Sequence, residues 1–354
     1  MEQAMFLPAR LIDDPGPEYS GAERLWQGIP GLERADNGRL WAVWYTGGEG
    51  EGIGNYVVLH SSDDGDTWSG PEMVIAPNAG ERCYDPCLWH DPLGRMWLFW
   101  AQSGGFNNTR AGVWCVRFDD ASQPPLQWSP PRRIANGVMM NKPTVLLDGT
   151  WLAPTAVWTY MGPPVPDLAE EQRSNVLCSR DQGETWQLLG GADVPDRQFD
   201  EHMVVERRDG SLWMLVRTTY GAGESVSSDG GRTWGAVQPS GISGPGSRFF
   251  VRRLASGRLL LVNHYRFSGR NNLTAMLSED DGHTWMGELL LDGRDGVSYP
   301  DGVQDESGLI RIIYDHDRQG AAEILMAAFR EEDVLAGRLV SSDARLAALV
   351  DRLR

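Results

Sequence analysis

The 354-residue chain carries a formal charge of -17 and is 41% hydrophobic. That acidic balance excludes a broad Lys- and Arg-rich surface, so DNA and RNA are not expected partners, although a local arginine cluster for a small anion stays open. Fifteen Trp and 42 Gly favour short strands with tight turns over helices, no stretch reaches membrane-spanning length, and Cys83, Cys87, Cys115 and Cys178 read as buried thiols rather than a zinc site.

Residues 1–10 hold no basic segment followed by an apolar run, so the chain is expected to be cytoplasmic. A short strand is expected at 7–12. Six apolar strands then each follow a Gly turn: GRLWAVW at Gly38, GRMWLFW at Gly94, GTWLAPTAVW at Gly149, GSLWMLVR at Gly210, GRLLLVNHY at Gly257 and GLIRIIY at Gly308. In step with them, Ser-x-Asp-x-Gly-x-Thr-Trp occurs at 61–68, 179–186, 227–234 and 278–285. A worn copy lies around Asp119, Asp120 and Trp128, and the sixth unit ends at 324–329 without one. The Ser and Asp side chains tie up turn amides, the Gly supplies positive φ, and the Trp packs under the next strand. Units of about 50 to 60 residues hold four strands each, and six of them close into a ring with only short edges. The expected fold is all-β: a six-bladed β-propeller with four-stranded antiparallel blades over 1–340, the strand at 7–12 completing the last blade. Residues 341–354 carry Leu346, Leu349, Val350 and Leu353 at helical spacing after a Ser-Asp start. They are expected to form a short C-terminal helix, packed on the propeller or on a partner chain in a homo-oligomer.

Because strands alternate in direction, the start of each first strand, the end of each second and the start of each third share one face, opposite the Asp-containing turns. Counting back nine residues from the turn Gly lands on Ile29, Asp85, Glu201, Arg248 and Tyr299; the third unit is two residues shorter, and its equivalent is Lys142. A structural core would place Val or Leu there. Ionisable and phenolic side chains point to a ligand site, the alternative being a self-satisfied ion network that plugs the channel. Arg217, His264 and Asp315 end second strands on the same face, and Arg270 opens a third strand. Arg217, Arg248, Arg270 and Lys142 opposite Asp85, Glu201 and Asp315 suit an anionic or polyhydroxylated ligand, because arginine is the fork that fits a carboxylate. His202 stands where sister repeats have proline, and a structural or substrate-positioning role is expected. No three His lie at metal-ligand spacing, so no catalytic metal and no cofactor are expected.

At these residues the chain resembles the bacterial exo-sialidases, across nearly all of 25–330. Glu201 within Asp-Glu-His-Met-Val-Val-Glu, followed sixteen residues later by Arg217, is similar to the segment in which a Glu assists the nucleophile and an Arg grips the substrate carboxylate. Arg270-Asn-Asn-Leu-Thr resembles the family's third arginine, Ser298-Tyr299 its nucleophile segment, and Tyr84-Asp85-Pro86 the segment that contacts sugar hydroxyls. Two positions depart from the family. Gly28-Ile29-Pro30 stands where the family has Arg-Ile-Pro, whose Arg is the first of the carboxylate-binding triad. The loop at 46–55, where the family has its acid/base Asp, offers Glu49 and Glu51 instead.

The resemblance implies an exo-acting retaining glycoside hydrolase on a carbohydrate substrate. Tyr299 would be the nucleophile, Glu201 its base, Glu51 or Glu49 the acid, Arg217 and Arg270 the carboxylate clamp, and Asp85 and Lys142 hydroxyl contacts. Two rivals remain: a uronate lyase with His202 or His264 as base and Tyr299 as acid, and a non-catalytic glycan-binding propeller.

Overall fold

The computed structural model describes residues 7–105, 110–122, 126–159 and 165–353; the readings made above for residues 1–6 and for Arg354 lie outside them. The described residues form six antiparallel sheets, five of four strands and one of five. They are the six blades of a β-propeller. Blade 1 begins with Gln27–Arg34, blade 2 with Arg82–His90, blade 3 with Thr144–Val145, blade 4 with Met203–Glu206, blade 5 with Phe250–Arg253 and blade 6 with Val297–Gln304. Each turn Gly between first and second strand adopts positive φ, from 79° at Gly94 to 97° at Gly38.

The apolar cores lie between blades. One joins blades 3 and 4 through Leu152, Val176, Val204 and Met214, with Trp234 packed against it. Another joins blades 1 and 6 through Leu32, Val58, Ile313 and Met326, with Trp68 against it. The repeated turns supply more than these Trp plugs. In the copy at 278–285, Ser278 donates to Asp280, the Gly282 amide donates to Ser278, and the Thr284 amide and hydroxyl both donate to Asp280. Gly282 has φ 91°, and a Cβ there would stand 2.6 Å from the Trp213 ring of the preceding blade, so this position needs glycine twice over. In the first copy the pattern slips by one: Ser62 and Asp64 carry the bonds, while Asp63 pairs with Arg39.

Both terminal expectations are corrected. The strand Arg10–Ile12 does not complete the last blade; it pairs with Met73–Ala76 as a fifth, outermost strand of blade 1. Blade 6 is completed by the C-terminal segment. Arg345–Arg352 is not a helix but a strand against Glu323–Phe329, with register shifts between Ile324 and Leu325 and between Met326 and Ala328. Those bulges, with Ala347 at φ 51°, insert residues into the outer strand and stretch its apolar spacing from two towards three or four. The one α-helix among the described residues is Glu331–Ala336, stopped by Gly337 in the left-handed region. No helix among the described residues is long and apolar enough to cross a membrane.

Candidate active site

The ring positions share a backbone feature that the repeat alone does not announce. Ile29, Asp85, Glu201 and Tyr299 all lie at positive φ, between 43° and 59°. Non-glycine residues held there cost roughly 1–3 kcal/mol each, and such strain concentrates at functional sites. Three of them sit in bulges of the inner strand, where the register shifts between Gly28 and Gly31, Tyr84 and Cys87, and Ser298 and Asp301. Each of these three precedes a proline (Pro30, Pro86 and Pro300), so each bulge has one amide donor fewer to satisfy. The left-handed turn aims the ring side chains at the channel mouth.

There Tyr299, Glu201 and Arg217 form a closed triangle. The Tyr299 hydroxyl donates to Glu201 Oε1 at 3.1 Å, and Arg217 Nη1 donates to the same oxygen at 2.6 Å and to the phenol oxygen at 3.2 Å. All three side chains are buried. Burial and then the Glu201 charge push the phenol up to about 12, partly offset by Arg217, Arg270 and Arg318. Tyr299 is therefore a neutral phenol at neutral pH with its proton already directed at a carboxylate. Glu201 Oε2 and Arg217 Nε are buried without a partner among the described residues, so the triangle is unfinished on one side.

Two further guanidiniums flank the phenol. The Arg270 carbon lies 5.3 Å from the Tyr299 ring centre and that of Arg318 5.1 Å. Arg318 escaped the sequence reading because it follows the second strand of blade 6 at no repeat position. Its Nη1 pairs with Glu51 at 2.5 Å. An aromatic arc, also unforeseen, runs from blade 1 to blade 4: Trp26 to Tyr45 at 4.9 Å, Tyr45 to Tyr84 at 6.3 Å, Tyr84 to Trp158 at 6.1 Å and Trp158 to Phe199 at 5.0 Å. Phe199 underlies Arg217, and the buried indole N–H groups of Trp26 and Trp158 have no partner among the described residues. Trp26, Tyr45 and Tyr84 are buried in an apolar core, and the partly exposed faces of Trp158 and Phe199 beside Arg217 suit the mixed apolar and polar surface of a sugar.

Asp85 is buried near this arc, and burial, with Glu51 and Glu201 adding to it, raises its carboxyl to about 8 despite Arg82 and Arg248. It is thus protonated at neutral pH and can donate a hydrogen bond or a proton. Glu49 is exposed, and no contact ties it to the cluster among the described residues.

Other expected ligand contacts are corrected. Lys142 and Arg248 do not face the mouth; they belong to a network further down the channel. Lys142 Nζ donates to Leu32 O, Leu88 O and Glu33 and lies 3.2 Å from Asp301. Arg248 donates to Asn141 Oδ1 at 2.7 Å and to Pro30 O and Asp301 at 3.4 Å. Their donors are taken up within the protein. Asp301, which the counting missed, is the buried anion that centres this network, and its Oδ2 also accepts the Leu32 amide. Asp315 points inward too, accepting from the Ile29 amide at 2.8 Å and the Ser298 hydroxyl at 2.6 Å. His202 is buried with Nε2 2.7 Å from Asn175 O, and desolvation lowers it to about 4. His264 is likewise lowered to about 4 by desolvation; its Nδ1 meets Asn271 O, and it lines a separate cavity of about 190 Å³ with Asn263 and Trp285. A further cavity of about 540 Å³ opens at the opposite mouth, lined by Trp89, Val205, Phe250 and Arg252, away from the strained ring.

Residues 38–312 match the BNR repeat-like domain. A sialidase of Paraclostridium sordellii is 26% identical over 241 residues, covering 60% of this chain and 57% of the relative. A sialidase of Bacteroides fragilis (strain YCH46) is 24% identical over a 373-residue alignment covering 90% of this chain and 64% of the relative. The chain thus spans about three fifths of the length of these curated relatives. The solved Hadza microbial sialidase Hz136 superposes with a TM-score of 0.71 at 20% identity, over 89% of this chain and 69% of that one. With the repeat matched over most of its length on a six-bladed ring, the chain belongs to the BNR repeat-like family of the sialidase superfamily.

Proposed function

We propose that this protein is an exo-acting retaining glycoside hydrolase that releases a terminal acidic sugar. The observation that carries the reading is the Tyr299–Glu201–Arg217 triangle, strained, buried and open on one side. Tyr299 Oη attacks the anomeric carbon as its proton passes to Glu201; a phenol at about 12 needs such a base. The bond to the leaving oxygen breaks as a carboxylic acid protonates that oxygen, giving a glycosyl-tyrosine. Water then attacks the same carbon, losing its proton to the conjugate base of that acid, while Glu201 returns the proton to the departing phenolate. Arg217 and Arg270 bind the sugar carboxylate, and the partly exposed Trp158 and Phe199 pack against its ring.

Two carboxyls suit the proton donor. Glu51 lies at the rim, on the loop where the resemblance places the acid. Asp85 is favoured by its protonation at neutral pH.

The elimination reading needs His202 or His264 as base, and both are held away from the cluster on backbone carbonyls. The test is to incubate the protein with aryl glycosides of sialic, other ulosonic, uronic and neutral sugars, following phenol release and unsaturation together. Phenol release from an acidic glycoside with no unsaturated product is expected. Unsaturation would make it a lyase, and tight binding without product a lectin-like propeller.

A further inference from the structure

We infer that Arg318 is the third carboxylate-binding arginine of this pocket, supplied by blade 6 where Gly28 brings no side chain, and that Glu51 holds its guanidinium until a ligand carboxylate takes over. The inference rests on the reading of the pocket as a site for an acidic sugar. A Cβ on Gly28 would stand 2.3 Å from Arg318 Cδ and 3.0 Å from Cγ, so the Arg318 stem fills the space that a side chain at position 28 would need. The stem is fixed from within: Nε lies 3.8 Å from Asp315, whose oxygens are in turn set by the Ile29 amide and the Ser298 hydroxyl. The guanidinium rests 5.7 Å from the Trp26 ring and at nearly the distance of Arg270 from Tyr299.

At its tip, Nη1 already meets a carboxylate. The Glu51 side chain is 31% exposed against 17% for Arg318, so the carboxylate is the partner with access to solvent and can leave without being buried unpaired. Its backbone carbonyl accepts from Arg82 Nη1 at 2.6 Å, so exchange requires rotation of the side chain alone. A ligand carboxylate shared with Arg217 and Arg270 gains more than Glu51 does from the same guanidinium. Once released, Glu51 stands at the rim, free to face the leaving oxygen.

The test is calorimetric titration of wild type, Arg318→Met, Glu51→Gln and the exchange variant Gly28→Arg/Arg318→Gly. The probes are methyl glycosides of N-acetylneuraminic, 3-deoxy-octulosonic and glucuronic acids, each beside its methyl ester. Wild type is expected to prefer one acid over its ester. Arg318→Met is expected to lose at least about tenfold of that preference, the size of one charge-assisted hydrogen bond. The exchange variant is expected to regain most of it, and Glu51→Gln to bind the acid a few-fold more tightly. Undiminished preference in Arg318→Met overturns the inference and leaves the acidic-sugar reading intact. A wild type indifferent to the charge of every probe overturns that reading and the inference together. If Arg318→Met does not fold, the exchange variant decides: absence of preference there overturns the relocation.

Discussion

Two tiers of charge occupy the same channel, carried on and around the starts of the inner strands, and they are built to opposite ends. In the deeper tier Lys142, Arg248, Glu33 and Asp301 close on one another and on backbone carbonyls. Burial works against the Lys142 charge, and Asp301 and Glu33 more than offset it. In the tier at the mouth, Glu201 and Arg217 keep buried atoms without partners among the described residues, and their neighbours are held in strained backbone. Charge around an axis therefore does not by itself mark a site. What sets the mouth apart is unfinished hydrogen bonding in a charged cluster on strained backbone, because a group left incomplete at a cost in the free protein gains when a ligand completes it.

The contrast can be broken from either side. Tyr299→Phe is expected to lower turnover of a cleaved aryl glycoside by on the order of 10²–10⁴-fold while the melting temperature stays near that of wild type, and Glu201→Gln to lower it as far but also to cost stability, because Arg217 is left buried without its anion. A loss of folding with intact turnover per folded molecule would reverse the assignment of the tiers. Asp301→Asn is expected to act the other way, costing about 3 kcal/mol in urea unfolding because two buried cations lose their shared anion. Unchanged unfolding would show that the deeper tier is not held by that carboxylate.

Asp85 gives a smaller effect with a defined sign. Its carboxyl is raised from 3.8 to about 8 in the folded protein, so it holds a proton there that the unfolded chain has released. Its contribution to stability is complete below about pH 4 and is lost as pH rises through about 8. Stability measured against Asp85→Asn is expected to decline across that window. If Asp85 is the proton donor, turnover falls above about pH 8 and Asp85→Asn loses that limb; a limb that survives the substitution assigns the donor to Glu51. Least of all, Asp280→Asn loosens an exposed turn on the opposite face and is expected to leave turnover unchanged.

The propeller was legible because it is built from repeats: the turn glycines and the Ser-Asp-Gly-Thr-Trp copies announce each blade independently. Counting from those glycines also reached Tyr299, Glu201 and Asp85, although not the strained backbone that they share. It could not say how far down the channel a long side chain reaches, which is why Lys142 and Arg248 were assigned to the mouth. Arg318 was illegible for a different reason. It takes the place of a residue 290 positions earlier in the chain, and only the contact between Gly28 and its stem reveals the substitution. The tail misled because bulges disguise a strand: with Ala347 in the left-handed region, Leu346, Leu349 and Val350 acquire the spacing of a helix.

The seam where the ring closes has a consequence for biosynthesis. Arg345 Nη2 reaches Gly65 O at 2.5 Å, and Gln27 Nε2 donates to Ala322 O, so the last blade made is latched onto the first. Tyr299 and Arg318 come from that last blade, whereas Gly28 and Glu51 come from the first. Tyr299 and Arg318 can therefore meet Gly28 and Glu51 only after the segment that carries blade 6 has been made, so the two halves of the pocket are joined late in the order of synthesis.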